Sequence, residues 1–575
     1  MARTLDVSQL ISPHQKASHI SSKFDEWNSY RDGWVQEKKE LRNYVYATDT
    51  QTTGNAKLPW SNSTTTPKLT QIYDNLKANY TASLFPSNDW MEWQATDNEG
   101  ATKQKRDFIQ SYMENKLAQS DFRNVVDRLV DDFILAGNCF ATVEWDRNYT
   151  ELESGETVEG YVGPKLVRIS PYDIVFDPTA ADFANTPKIV RSIRTLGEVQ
   201  AMFEKQGKME IFDEMMRVRD EVGSAVNVSK SEGFVADGFG SLQNYYGSSY
   251  VEFLTFYGDM YDRHERKLHR NRVVTVVDRA YLVEDIANPS WLGTAPVFHA
   301  GWRSRPDNLY AMGPLDNLVG MQYRIDHLEN LKADVFDQIA LPMLKIQGDV
   351  EDFEYMPAGR IYMGEEGNVT PLVPDATALN ADFQIQTLEN KMEELAGAPR
   401  QAMGMRTAGE KTAFEVSTLD NAANRIFNHK TAKFEMEFLE PALNAMLEAA
   451  RRNMNFMDTI AVVDDDTGVQ LFQQITKEDI VAKGKLVPMG ARHFAEKAKR
   501  MQTLQQIMQL KAGDPTVGAH VSGKMIAKIF SEELDERELY GENISVFEQM
   551  ETQKAALDAE ADMQEDLEVK AEQGL

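Results

Sequence analysis

The chain has 575 residues, 42% of them hydrophobic, and a formal net charge of −29, so it is long enough for several domains or an extended multi-part subunit and has ample material for a core. That charge argues against a surface built to grip nucleic acid by counterion release or to dock on an anionic membrane. The single cysteine, Cys139, excludes a disulfide framework, fits a reducing compartment and reads as a buried structural thiol.

The opening stretch, MARTLDVSQLISPHQ, lacks a basic start followed by an apolar block, and no later apolar run is long enough to span a bilayer. The expectation is a soluble chain without a visible export signal. Apolar residues three and four apart predict helices over 66–85, 103–119 and 121–136, with Gly137 ending the third. From NCFATVEW onward, short β-branched or alternating runs predict strands at KLVRIS, DIVFDP, VEFLTFYG and RVVTVVD. A helical piece after residue 206 leads into SEGFVADGFGSLQNYYGSSY, which reads as a mobile surface loop. No internal repeat of fixed period is visible.

From Pro314 to about Ala340, Leu318, Met321, Ile325, Leu328, Leu331, Val335 and Ile339 form one apolar stripe. The spacing predicts a helix of about 26 residues, close to 40 Å long at 1.5 Å per residue. Its other faces carry Asp316, Asp326, Glu329, Asp334 and Asp337. Pro342 ends it, and MLKIQG, GRIYMG and VTPLV follow as a small β-rich insert. A second helix returns over about 382–396, with Phe383, Ile385, Leu388, Met392 and Leu395 inside and Glu389, Glu393 and Glu394 outside. The pattern is a stalk with a tip, or an ordinary helical hairpin with a β excursion.

GMRTAGEKTAF, at 404–414, approaches a phosphate-binding loop, but its spacing is one residue too long and no apolar strand launches it. Thr412 and Glu415 instead form a capping-box pair that starts a helix through Phe414, Leu419, Ile426, Phe427, Phe434, Phe438 and Leu439. GAHVSGKM, at 518–525, places Met525 where a hydroxyl is needed. His264 and His269 in HERKLH are five apart, which takes them off a common helical face, so they read as a hairpin rim. DDDTG, at 464–468, lacks the glycine and glutamate positions of a calcium loop and reads as a turn between TIAVV and VQLFQQI. The tryptophans of NDWMEW and GWRSR read as packing or subunit-contact residues. No catalytic set, metal site or cofactor is expected.

Taken in order, IVFDPTA, then APVFHAGWRSRPDNLYAMGPLDNLVGMQYRIDHLENL, then APRQAMGMRTAGEKTAFEVSTLDNAANRIFNHKTAKFEMEFLEPAL, with a helical acidic tail, resembles the portal, or head-to-tail connector, proteins of tailed bacteriophages, most like those of short-tailed phages. The resemblance covers most of the chain. It implies a mixed, mainly α portal fold with a β-rich wing and clip, assembled as a ring, typically of twelve subunits, at one capsid vertex of the virion. DNA would enter and leave through its central channel. The wing would take 1–311 and 413–489, the stem 312–340 with 382–397, the clip 341–381, the channel loop 398–412 and the crown 490–575. The implied partners are double-stranded DNA, the large terminase subunit, tail adaptor proteins, and capsid and scaffolding proteins.

Residue chemistry fits that assignment. Asp326, Glu329, Asp334, Asp337, Glu389, Glu393 and Glu394 are candidates for an acidic stem or channel wall, which would repel phosphate and let a duplex slide. In the channel loop, Arg400, Arg406 and Lys411 stand against Glu410, and Gly397, Gly404 and Gly409 allow movement. The expectation is transient contact with DNA phosphates; a merely solvated connection is the alternative. From Glu548 to the end, nine carboxylates stand against two lysines on a helix-favouring sequence. Two other readings stay open: an ATP-driven packaging enzyme, and an acidic structural adaptor without a DNA channel.

Overall fold

The computed structural model describes residues 4–7, 13–46, 62–86, 90–97, 102–151, 157–180, 182–222, 250–340, 343–347, 368–372, 380–396, 425–454, 457–463 and 470–490, with 503 and 553–554. The chain is mixed α and β and divides into two compact units, residues 1–81 with 93–487, and residues 82–92 with 488–575.

Helices dominate the first part, where β1 (Thr4–Val7), α1 (Pro13–Tyr30), α2 (Asp32–Val45), α3 (Lys68–Leu84), β2 (Met91–Ala95), α4 (Lys103–Gln119) and α5 (Phe122–Leu135) follow in order. The three helices expected from periodicity all form. After α5, Gly137 adopts φ 73°, the left-handed conformation glycine tolerates, and a Cβ there would collide with the backbone of Met312 and Gly313.

Strands follow where β-branched runs begin: β3 (Asn138–Glu151), β4 (Thr157–Ile169), β5 (Ile174–Phe176) and β6 (Lys188–Thr195). After α6 (Leu196–Gln206) and α7 (Met209–Val222) come β7 (Tyr250–Asp262), β8 (Lys267–Val277), β9 (Tyr281–Ala287), β10 (Val297–Gly301), β11 (Arg303–Arg305) and β12 (Asn308–Met312). Strands β5 to β9 lie side by side in chain order, each antiparallel to the next, and β1 adds parallel to β7.

Two-residue alternation on β7 decides how this sheet is covered. Leu254 and Phe256 point to one face, where Ala17, Ile20, Phe24 and Trp27 of α1, spaced three and four apart, pack on them. Val251 and Phe253 point to the other, against Val199 and Phe203 of α6 and Met215 of α7. The result is a sheet between helices. A second sheet, ordered β10, β3, β4, carries Phe140, Ile169 and Val297 into a cluster with Ile174, Phe176, Phe183 and Tyr310.

Beyond β12, a 3₁₀ turn (Asp316–Leu318) leads into α8 (Val319–Ala340), then β13 (Met343–Gln347), β14 (Asn368–Leu372) and α9 (Asp382–Ala396). The turn and α8 together match the long helix expected there, and β13 pairs antiparallel with β14. The helix expected after residue 412 is described from Arg425: α10 (Arg425–Phe434) passes through a π-helical turn (Glu435–Leu439) into α11 (Glu440–Asn453). Pro441, at the start of α11, has no backbone N–H to donate, which accounts for the widened turn just before it.

The remaining elements are β15 (Asp458–Val463), antiparallel to β16 (Gln470–Ile475), then α12 (Lys477–Ile480) and β17 (Gly484–Pro488). In the second unit, Phe85 meets Trp90 edge-on at 4.9 Å, and the Met489 N–H donates to the Trp90 carbonyl at 2.7 Å.

Candidate functional site

The helix pair α8 and α9 with its two-stranded tip is the part of the chain on which the functional expectations converge. On α8, Gln322, Asp326, Asn330 and Asp334 recur every four residues, with Asp337 three further on. Four residues of α-helix advance about 6 Å and return to one face, while alternate residues of extended chain advance about 6.6 Å. The two repeats run nearly in step. Residues 62–67, NSTTTP, supply the extended partner: β-branched threonines and a proline that keeps Thr66 out of the helical region hold the strand-like conformation until α3 begins.

The strap is bonded rung by rung. Thr66 N–H donates to Asp326 Oδ1 at 3.0 Å, and the Gln322 amide donates to the Thr66 carbonyl at 2.6 Å and to Asp326 Oδ1 at 2.7 Å. Asn330 accepts from the Thr64 N–H at 2.9 Å and its hydroxyl at 3.0 Å, and donates to the Thr64 carbonyl at 3.0 Å. Asn62 donates its N–H to Asp334 at 2.6 Å and its amide to Asp337 at 2.9 Å. At the end of the strap, Lys68 forms a 2.6 Å ion pair with Glu393 of α9.

These contacts correct part of the acidic-wall expectation. Asp326 is 0% exposed and Glu393 2% exposed, so neither carboxylate belongs to an open face; both are spent inside the chain. Burial pushes the Asp326 carboxyl up to about 6, against the hydrogen bonds from Thr66 and Gln322 that favour its charge, and its Oδ2 is buried without a hydrogen-bond partner. Asp334 is half-buried under Asn62, and Glu329 pairs with Lys332 at 3.2 Å. Asp337 and Glu394 remain exposed, and Glu389 is half-exposed.

The apolar stripe differs from expectation too. Leu318, Ile325, Leu328, Ile385 and Met392 are buried, but Leu331, Phe383 and Leu395, expected inside, are exposed. Phe383 is 79% and Phe336 63% exposed. Leu331 and Phe336 lie on the second half of α8, and Phe383 and Leu395 near the two ends of α9.

Several expectations lie outside the described residues: Gly397, Arg400, Gly404, Arg406, Gly409, Lys411, the Thr412 and Glu415 cap, GRIYMG, and the DDDTG turn, though the strands flanking that turn do pair. HERKLH spans the turn after β7 and the first three residues of β8, and Asp262 Oδ1 accepts from the N–H groups of His264 and Glu265 in that turn. Trp90, Trp93, Trp302 and Cys139 are buried, as expected of packing residues.

Among the described residues, no group of three or more His, Cys, Asp or Glu side chains is placed to hold a metal ion, and no helix is long and apolar enough to cross a membrane. An open cleft of about 590 Å³ beside β7 and α11 is lined mainly by apolar and neutral polar side chains, with Arg194, Glu284 and Arg452. No protein-family model matches the chain, and no curated protein matches it.

Proposed function

We propose that this chain is a portal subunit: copies assemble as a ring around a central channel at one vertex of a virion capsid, and double-stranded DNA passes through that channel during packaging and ejection. The observation that carries the reading is the helix pair with its β tip, which buries one side against the chain's own strap and core and leaves Phe336, Phe383, Leu331 and Leu395 in solvent. Isolated apolar residues on a surface are ordinary, but several on one helix pair mark an interaction face. In a cyclic ring each such face meets a different face of the next copy, a heterologous contact that closes.

On this reading α8 and α9 are the stem, residues 341–381 the clip and 398–412 the channel loop. The exposed carboxylates Asp337 and Glu394, with Glu389, face a passing duplex or solvent, and Arg400, Arg406 and Lys411 make the few phosphate contacts. The large terminase subunit and tail adaptors dock at the clip, and capsid and scaffolding proteins surround the wing. Negative-stain images of the purified chain test the proposal. Rings with a central hole, expected with about twelve subunits, support it; compact monomers at all concentrations overturn it, and monomers that turn over ATP point to the enzyme reading.

A further inference from the structure

The chain carries 90 carboxylates against 61 lysines and arginines, yet two cations lie over one indole and two more stand within three residues of them in sequence. Trp302 is buried, with its indole N–H donating to the Tyr80 hydroxyl at 2.8 Å. The Lys430 ammonium lies 4.6 Å and the Arg303 guanidinium 5.1 Å from its ring centroid. Lys430 donates to the Trp302 carbonyl at 2.7 Å, and Lys433 to the Gly301 carbonyl at 2.8 Å and the Ser304 hydroxyl at 2.6 Å. Arg305 stands exposed at the end of the same short strand.

Little negative charge balances this group. Glu437 lies 3.7 Å from Lys433 and is exposed, and no ion pair joins Arg303 or Arg305 to a carboxylate among the described residues. Burial, Lys433 and Arg303 together lower the Lys430 pKa, a sign that like charges are held close. The two lysines are fixed by carbonyls and the indole is fixed by Tyr80, so Arg303 is presented on a fixed base, with Arg305 two residues along the same strand. Each guanidinium keeps donors for a bidentate anion.

We propose that Arg303 and Arg305, backed by Lys430 and Lys433, form a binding site for the phosphodiester backbone of nucleic acid, separate from the channel loop. A phosphodiester chain suits it because one ligand brings a repeating anion to several cations, and because the acidic remainder of the chain keeps such contacts few and salt-sensitive. The inference rests on the portal reading only in supposing that DNA passes the chain.

The test uses the full-length protein, a fluorescent double-stranded oligonucleotide and anisotropy from 50 to 200 mM salt, comparing wild type with the double variant Arg303→Gln and Arg305→Gln. Both side chains are exposed, so the melting temperature serves as a control for folding. The expected result is weaker binding and a log–log salt slope shallower by about 2, near 0.9 for each phosphate no longer neutralised. An unchanged slope, or no binding by wild type at 50 mM salt, overturns the proposal. Two further outcomes overturn it: inorganic phosphate at matched ionic strength displacing the oligonucleotide completely from this cluster, which makes it a free-anion site, or the double variant changing oligomeric state while leaving the slope alone, which makes it a contact between copies. Rings without a slope change sink this site and spare the portal; a slope change without rings does the reverse.

Discussion

Lys188 shows how a single buried ammonium can record itself in the stability of the chain. It is 0% exposed, lies 4.1 Å from the Phe183 ring centroid, and donates to the carbonyls of Phe183 and Ala184. Burial pulls its pKa down to about 7. Between about 7 and its ordinary value of 10.5, the unfolded chain holds a proton that the folded chain has released, so stability rises with pH across that window. Lys188→Met should flatten that rise, removing at most about 1.4 kcal/mol per pH unit. Melting temperatures of both proteins from pH 7 to 10 check it, and parallel curves refute it. His299, stacked on Phe140 at 4.8 Å, works the same way lower down. Burial beside Lys188 and Lys433 holds it near 3, so stability falls as pH drops below 6.5. Neither residue was identifiable from the sequence, because a lysine at the start of a strand and a lone histidine look the same whether they face solvent or the core.

Between elements, the strap is the feature with the sharpest energetic consequences. Asn330 satisfies both the N–H and the carbonyl of Thr64, so Asn330→Ala strands two backbone groups and should cost about 2–4 kcal/mol. Asp337→Ala, at the exposed end of the same stripe, should stay within about 0.5 kcal/mol. Hydrogen exchange of residues 62–69 separates the two: protection disappears in the first and is kept in the second. Asp326 adds a pH signature of opposite sign to that of Lys188. Its carboxyl is raised from 3.8 to about 6, so the folded chain holds the extra proton and stability falls as pH rises between those values. Asp326→Asn should remove that fall, measured by denaturant midpoints at pH 4 and 6; an unchanged difference between them refutes it.

Helices α3, α4, α5, α8 and α9 and most strands were legible, because each shows a clean period and, at the ends of α3, α5, α8 and α9, a nearby glycine or proline. The strap was not, because its signal is split between two distant pieces: amides and carboxylates at every fourth residue of α8, and a threonine run before Pro67. Either alone reads as a solvated polar surface. The same blindness placed Asp326 and Glu393 on an open flank, since acidic residues on an amphipathic helix normally face water.

For the assembled molecule, the question is what covers the apolar side chains that one copy leaves bare. Removing a phenylalanine from water contributes about 1.5–3 kcal/mol, and in a ring that contribution recurs at every interface. Phe383 is 79% exposed, and a substitution there should change the stability of one subunit by no more than about 0.5 kcal/mol. Phe383→Asp also sets a desolvated carboxylate against a neighbour in an assembly whose subunits each carry −29. The expected outcome is an unchanged melting temperature at concentrations where wild type is dissociated, together with loss of rings by light scattering and electron microscopy. Phe336→Asp, on the partner helix and 63% exposed, should behave alike. Because a closed ring lets each defect repeat at every interface, a modest weakening of each is enough to abolish closure. If both variants form rings as well as wild type, the exposed face of α8 and α9 is not what joins the copies, and the stem assignment loses its physical basis.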